Sequence, residues 1–223
     1  TIHDSGDLDM IFGSKERSLE ALYEVTKEAI HANKKTLIIG GEHLISYAPI
    51  KAYHEQYQNL HVIQFDAHTD LRDDYMGETF SHATVMKLAH SLLGDGRIYQ
   101  FGIRSGMKEE FEFAKKHTTL EKFDVNTVNQ TIKNIKDNPV YITIDLDILD
   151  PSIMAGTGTP EPGGITFNKL MEAIYQLKDL NIVGIDVVEL SPHYDASGVS
   201  TAVASKIIRE CLLILNQEKN HSS

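Results

Sequence analysis

No run in this 223-residue chain approaches the unbroken apolar length of a membrane span, and no leader-peptide pattern opens it. Cysteine is all but missing. The single Cys211 sits in "SKIIRECLLIL", where Ile207, Ile208, Cys211, Leu212 and Leu215 recur at helical spacing, so it reads as a reduced core residue of a cytoplasmic protein. Positive charge is scarce: 21 Lys and Arg stand against 32 Asp and Glu, leaving a net charge of −11. That balance argues against a nucleic-acid surface and suits a cationic small molecule. Internal repeats, low-complexity tracts and interdomain linkers are also lacking, and the tail "NQEKNHSS" reads as frayed.

What is present is 41% apolar content, enough to bury the core of one α/β domain spanning 1–223. Short β-branched runs at 35–40, 61–65, 97–102, 140–144 and 181–187 predict strands. Segments of helical period at 16–33, 44–57, 82–93, 107–117, 167–178 and 197–215 predict helices. The alternation implies a three-layer α/β/α fold with a mostly parallel central sheet. In such sheets ligands bind outside the carboxyl ends of the strands, where loops and helix N-termini converge.

The ionisable residues collect at those ends. His43 follows the first strand, Asp66, His68 and Asp70 the second, Asp145 and Asp147 the fourth, and Glu189 the fifth. If the chain stays extended, Asp66, His68 and Asp70 share one face, as do Asp145 and Asp147. Carboxylates aimed into one crevice repel and lose hydration unless a cation neutralises them. Four Asp with two His and no thiolate suit Mn²⁺ better than a structural zinc, and six side chains suit two ions better than one.

Each motif alone has a plainer reading. "DAHTDLRDD" fits an Asp-rich turn, "DLDILDP" a turn opening at Asp-Pro, and "GGEH" a tight Gly-Gly bend. A dinuclear phosphoesterase gathers similar ligands but calls for phosphate-binding cations, whereas Glu189 repels anions. A single catalytic zinc is overfilled by this set. A binding relative without turnover is the non-enzyme alternative.

Together, "GGEH" (40–43), "DAHTDLRDDYMGETFSH" (66–82), "FGIRSGMKEEFEFAK" (101–115), "TIDLDILDPSIMAGTGTPEPGG" (143–164) and "GIDVVELSP" (184–192) resemble the ureohydrolase family of arginases and agmatinases. The likeness is strongest to the bacterial agmatinases. It implies an arginase-like fold and two Mn²⁺ ions, one held by His43, Asp66, Asp70 and Asp145, the other by Asp66, His68, Asp145 and Asp147. It also implies attack of a bridging hydroxide on a guanidinium carbon, with Glu189 pairing with the guanidinium and His82 relaying a proton. His82 follows Ser81, a predicted N-cap, in a first turn whose positive end disfavours imidazolium. The substrate implied is agmatine, a cationic guanidino compound, with Asp73, Asp74 and Glu78 predicted to make the nearby loop anionic. Family members form homotrimers or homohexamers. They also carry an additional N-terminal segment, including a strand in the middle of the sheet, before the position matching Thr1, so an incomplete chain is expected. The histidines at 3, 31, 54, 61, 90, 117, 193 and 221 read as surface or packing residues.

Overall fold

The structure, a computed structural model, describes residues 1–216. The remainder of the tail, with His221, lies outside the described residues. In chain order the elements are α1 (Lys15–His31), β1 (Thr36–Ile39), α2 (Tyr47–Gln56), β2 (His61–Phe65), α3 (Val85–Leu93), β3 (Ile98–Ile103), α4 (Lys108–His117), β4 (Thr119–Lys122), α5 (Val128–Ile135), β5 (Pro139–Asp145), α6 (Phe167–Gln176), β6 (Asn181–Val188) and α7 (Val199–Leu215). Short 3₁₀ turns at His43–Ser46 and His82–Thr84 lead into α2 and α3, so the predicted helices there begin as tighter turns.

Among the described residues six strands form one sheet in the order β1-β6-β5-β2-β3-β4, every neighbouring pair parallel. No gap opens among them, and β1 and β4 are its edges. Parallel strands need helical crossovers, which cover both faces. One core layer packs α5, α6 and α7 against Ile63, Phe65, Ile142, Ile144 and Ile185. Residues of α1, α2 and α3 pack against the opposite side, where Val62, Tyr141 and Val183 are buried. Cys211 is buried in the first of these layers, and burial pushes its thiol up to about 12.

Two elements escaped the sequence. β4, "TLEK", is a four-residue edge strand with both end residues exposed, so no alternation marks it; pairing with β3 alone defines it. In α5, Val128, Thr131 and Ile135 are buried at helical spacing, a short signal that was there to be found.

The interior strands carry an unusual feature. Gln100, Gln64, Thr143 and Asp186 are register partners across β3, β2, β5 and β6, forming a continuous buried polar row one to three residues before the strand ends. Beside it, β3 slips register between Phe101 and Ile103. Gly102 there has φ +85°, and a Cβ would stand 2.6 Å from Ile148 Cγ1 and 3.1 Å from the Asp66 carbonyl oxygen. We expect Gly102→Ala to destabilise the protein by about 3 kcal/mol, the sum of a strained left-handed backbone and an overpacked contact. A urea midpoint unchanged from the parent chain would contradict this account of the bulge.

Candidate metal centre

All six predicted ligands converge on the carboxyl edge of the sheet, but not by simple strand alternation. β2 ends at Phe65, and the chain then bends so that Asp70 adopts φ +52°, a left-handed conformation. β5 ends at Asp145, and Asp147 lies within a 3₁₀ turn, Leu146–Ile148. The expected extended continuation is therefore replaced by tight turns, whose side chains cap one another. Asp145 Oδ1 accepts from Asp147 N at 2.9 Å, Asp147 Oδ1 from Ala67 N at 3.0 Å, and Asp66 Oδ1 from His68 N at 2.5 Å.

Two groups of ligand atoms result: His43, Asp66 and Asp70, then Asp66, His68 and Asp147. Asp66 belongs to both. His43 Nδ1 faces Asp70 Oδ2 at 2.9 Å, Asp66 Oδ2 at 3.0 Å and Asp145 Oδ2 at 3.4 Å, while His68 Nδ1 lies 2.9 Å from Asp147 Oδ2. Asp145 thus stands slightly back from both groups, on the His43 side.

The arrangement calls for positive charge. Thr143 Oγ1 gives its hydrogen to Asp186 Oδ1 at 2.6 Å, so at 2.9 Å from His43 Nε2 it accepts. That hydrogen bond places the His43 proton on Nε2 and turns the Nδ1 lone pair toward three carboxylates. Nδ1 is buried and has no hydrogen-bond partner. A lone pair confronting anions calls for a proton or a cation between them, and this donor set fits a divalent ion.

Titration behaviour of the bare side chains agrees. Burial, reinforced by the Asp66 charge, pushes Asp70 up to about 7. Burial followed by the neighbouring carboxylates raises Asp145 and Asp147 as well. Burial opposes charge on His68, yet Asp147 and Asp66 outweigh it and push the imidazole up to about 12; His43 is raised likewise by Asp145, Asp66 and Asp70 against its burial. For Asp66, the two histidines overcome burial and lower the carboxyl.

Support comes from residues that sequence reading passed over. Thr118 Oγ1 donates to Gln100, whose Nε2 donates to Gln64 Oε1 at 2.7 Å, and Gln64 Nε2 donates to Asp66 Oδ2 at 2.7 Å. Their signal was a polar residue inside each apolar strand. Glu110, 4% exposed, accepts from Thr69 Oγ1 at 2.5 Å and Leu71 N at 3.0 Å, clasping the chain on both sides of Asp70. Arg104 binds the Asp147 carbonyl at 2.6 Å and the Glu161 carbonyl at 2.7 Å, tying the Asp147 turn to the following loop.

Glu189, at φ +65°, accepts from His43 N at 2.7 Å and lines the same crevice; burial raises its carboxyl. His82 stands at the mouth behind its Ser81 cap, as expected. Its predicted preference for the neutral form is not met, because Glu42 Oε2 lies 3.4 Å from Nδ1 and raises the imidazole more than burial lowers it. The acidic-loop expectation also needs correction. Asp73 is turned outward onto Lys87 at 2.8 Å, Glu78 pairs with Lys15, and Asp74 caps Gly77 N at 3.0 Å. From that loop, Arg72 and Tyr75 line the crevice instead.

A parallel-sheet edge bearing two such groups joined by one carboxylate is the hallmark of proteins built to hold paired metal ions. Residues 1–214 match the model of the Arginase family, and the chain belongs to that family. The agmatinase of Bacillus subtilis (strain 168) is 44% identical over 214 residues, covering 94% of this chain and 74% of that protein. The Bacillus anthracis agmatinase is 45% identical over the same shares. A structure from Clostridium difficile, provisionally designated an agmatinase, superposes with a TM-score of 0.94 at 47% identity, covering 96% of this chain and 79% of that one. Proclavaminate amidino hydrolase from Streptomyces clavuligerus superposes with 0.86 at 27% identity, covering 95% and 75%. No helix among the described residues is long and apolar enough to cross a membrane.

The raised groups fix the sign of a pH effect. An acid raised in the folded state holds a proton the unfolded chain has released, so Asp70 costs stability progressively as pH climbs from 3.8 through about 7. A raised imidazole stabilises below its ordinary 6.5, and that contribution fades as pH rises above it, as for His68. Asp66 has the opposite sign but titrates below this window. After exhaustive chelation, thermal stability should therefore fall from pH 5 to pH 8, by about 1.4 kcal/mol per pH unit for each extra proton held. Added Mn²⁺ should flatten or reverse the slope while releasing protons. Identical slopes with and without metal in calorimetric scans would count against the centre.

Proposed function

We propose that this chain is an agmatinase that cleaves the guanidino group of agmatine to urea and putrescine with two Mn²⁺ ions. The observation that carries this reading is the 44% identity to an agmatinase sustained over 94% of the chain. On this reading His43, Asp66, Asp70 and Asp145 hold one ion, and Asp66, His68, Asp145 and Asp147 the other. Asp66 touches both histidines, which supports a bridging role. When bound, the ions supply the acidity that makes water a nucleophile at neutral pH and the charge that offsets the carboxylates.

The chain's own residues do the rest. Glu189, anchored by the His43 N–H, offers its carboxylate to the planar guanidinium and fixes its orientation. As the carbon–nitrogen bond breaks, the departing amine needs a proton, and His82, whose imidazole Glu42 raises, lines the crevice and can supply it. The reduced, buried Cys211 supports a cytoplasmic setting, and the family resemblance supports a homotrimer or homohexamer.

Arg72 favours a second reading, since it lines the crevice and a guanidinium there could receive a substrate carboxylate. It is engaged, however, by Glu110 at 3.6 Å and lies over the Tyr75 ring at 5.3 Å, while Glu189 adds a carboxylate to the crevice that no ion is assigned to neutralise. A substrate ending in an ammonium is favoured over one ending in a carboxylate. We expect kcat/KM for agmatine to exceed that for arginine by about a hundredfold, equivalent to about 3 kcal/mol. Parallel urea-release assays with agmatine, arginine and 4-guanidinobutyrate test this; a preference for either carboxylate-bearing compound would assign the crevice to the second reading.

Variants separate the roles. Asp145→Ala should lose bound metal and nearly all turnover, whereas Glu189→Gln should keep its metal and lose catalysis through weakened guanidinium binding. Metal content measured beside kcat and KM decides, and equal metal loss in the two variants would break the division.

A further inference from the structure

At the opposite edge of the sheet lies a second convergence of ligand types, built by the C-terminal ends of two helices, away from the crevice. Because the crossover helices run antiparallel to the strands, the C-terminal ends of α3 and α4 meet at the amino ends of β3 and β4. His90 occupies the last turn of α3 and His117 the last turn of α4. Between α3 and β3 the bend Gly94-Asp95-Gly96 brings a carboxylate up to both rings.

The geometry is compact. His90 Nε2 lies 2.8 Å from Asp95 Oδ1, and His117 Nδ1 lies 2.7 Å from the same oxygen. All three ligand atoms fall within 4.8 Å of one another. Phe113 packs edge-on against His90 at 4.9 Å and tilted against His117 at 4.3 Å, limiting both rings to these positions. Backbone bonds hold the bend, Gly94 N to His90 O at 2.8 Å and Gly96 N to His117 O at 2.9 Å. The frame is thus fixed from three elements before any ligand arrives.

We propose that His90, Asp95 and His117 form a separate site for a divalent transition ion of the zinc type, with water completing the coordination. Two imidazoles and one carboxylate are the protein donor set of an open tetrahedral zinc site. Imidazole-rich sites favour Zn²⁺ over Mn²⁺, in contrast to the oxygen-rich crevice. Two helix C-termini also direct their negative ends at this point, which favours a cation. Lys87 is the nearby opposing charge, over the Phe113 ring at 3.8 Å, but Asp73 holds it at 2.8 Å; Lys116, next to His117 in sequence, is exposed. An ion here would staple the ends of α3 and α4 together.

The test uses the full chain loaded with Mn²⁺ and dialysed against micromolar free Zn²⁺. Because Zn²⁺ also enters the crevice, the informative quantity is the difference between the parent chain and His117→Gln, and between the parent chain and Asp95→Asn. Both substitutions fall on partly exposed side chains and keep a polar group, and circular dichroism verifies their folding. The parent chain is expected to bind one more Zn²⁺ per chain than either variant. Crystals of the parent chain soaked in Zn²⁺ give a measurement that needs no variant: an anomalous peak at the zinc edge between the three side chains. Equal stoichiometry in all three proteins, or anomalous peaks confined to the crevice, would overturn the proposal.

Discussion

Mutual repulsion among buried carboxylates is the constraint around which this molecule is arranged. Asp66, Asp145 and Asp147 are at most 3% exposed and Asp70 is 6% exposed, all at one sheet edge. Two like charges about 4 Å apart cost roughly 4 kcal/mol each other's company at an effective dielectric near 20. Neither protons nor the two histidines relieve this fully, since protonating a carboxylate forfeits it as a ligand. Divalent ions relieve it directly, and the surrounding hydrogen bonds then need only aim the ligands.

The polar row across the sheet does that aiming. Gln64, Gln100, Thr143 and Asp186 would be poor choices for strands buried on both faces, because unsatisfied polar groups there are costly. Each is satisfied by a neighbour, and each chain of bonds ends on a ligand: Gln100 through Gln64 on Asp66, and Asp186 through Thr143 on His43. Tyr141 adds a second donor to Asp186 at 2.7 Å. The sheet interior has thus exchanged apolar packing for control of direction, which explains why a ligand tautomer can be read from a threonine hydroxyl.

Much of this was legible in the residues and some was not. Strand periodicity located five strands, and the residues of "GGEH", "DAHTD" and "DLD" read as ligands lie together at the carboxyl edge of the sheet. The turns after β2 and β5 were missed because period-2 reasoning has no way to announce where an extended chain stops; Asp70 reaches the crevice through a left-handed backbone that its neighbours Thr69 and Leu71 hold by bonding Glu110. The loop at 73–78 misled because charge in a sequence carries no direction. Lys15, far from the loop in the chain, and Lys87, on the helix that follows it, turn its acids outward. Glu42, read only as part of a tight turn, becomes the partner that governs His82.

Strand order has a consequence for how the chain is made. β1 pairs with β6 alone among the described strands, yet residues 36–39 emerge long before residues 181–188 during synthesis. Until β6 arrives to fill the position between β1 and β5, β1 cannot join the other described strands, and the 146-residue separation between Glu189 and the His43 amide cannot be closed. Contacts so distant in sequence make for slow, late assembly. The nascent chain therefore keeps β1 apart from the other described strands until residues 181–188 have been made, and a half-assembled parallel sheet of this kind is prone to aggregate.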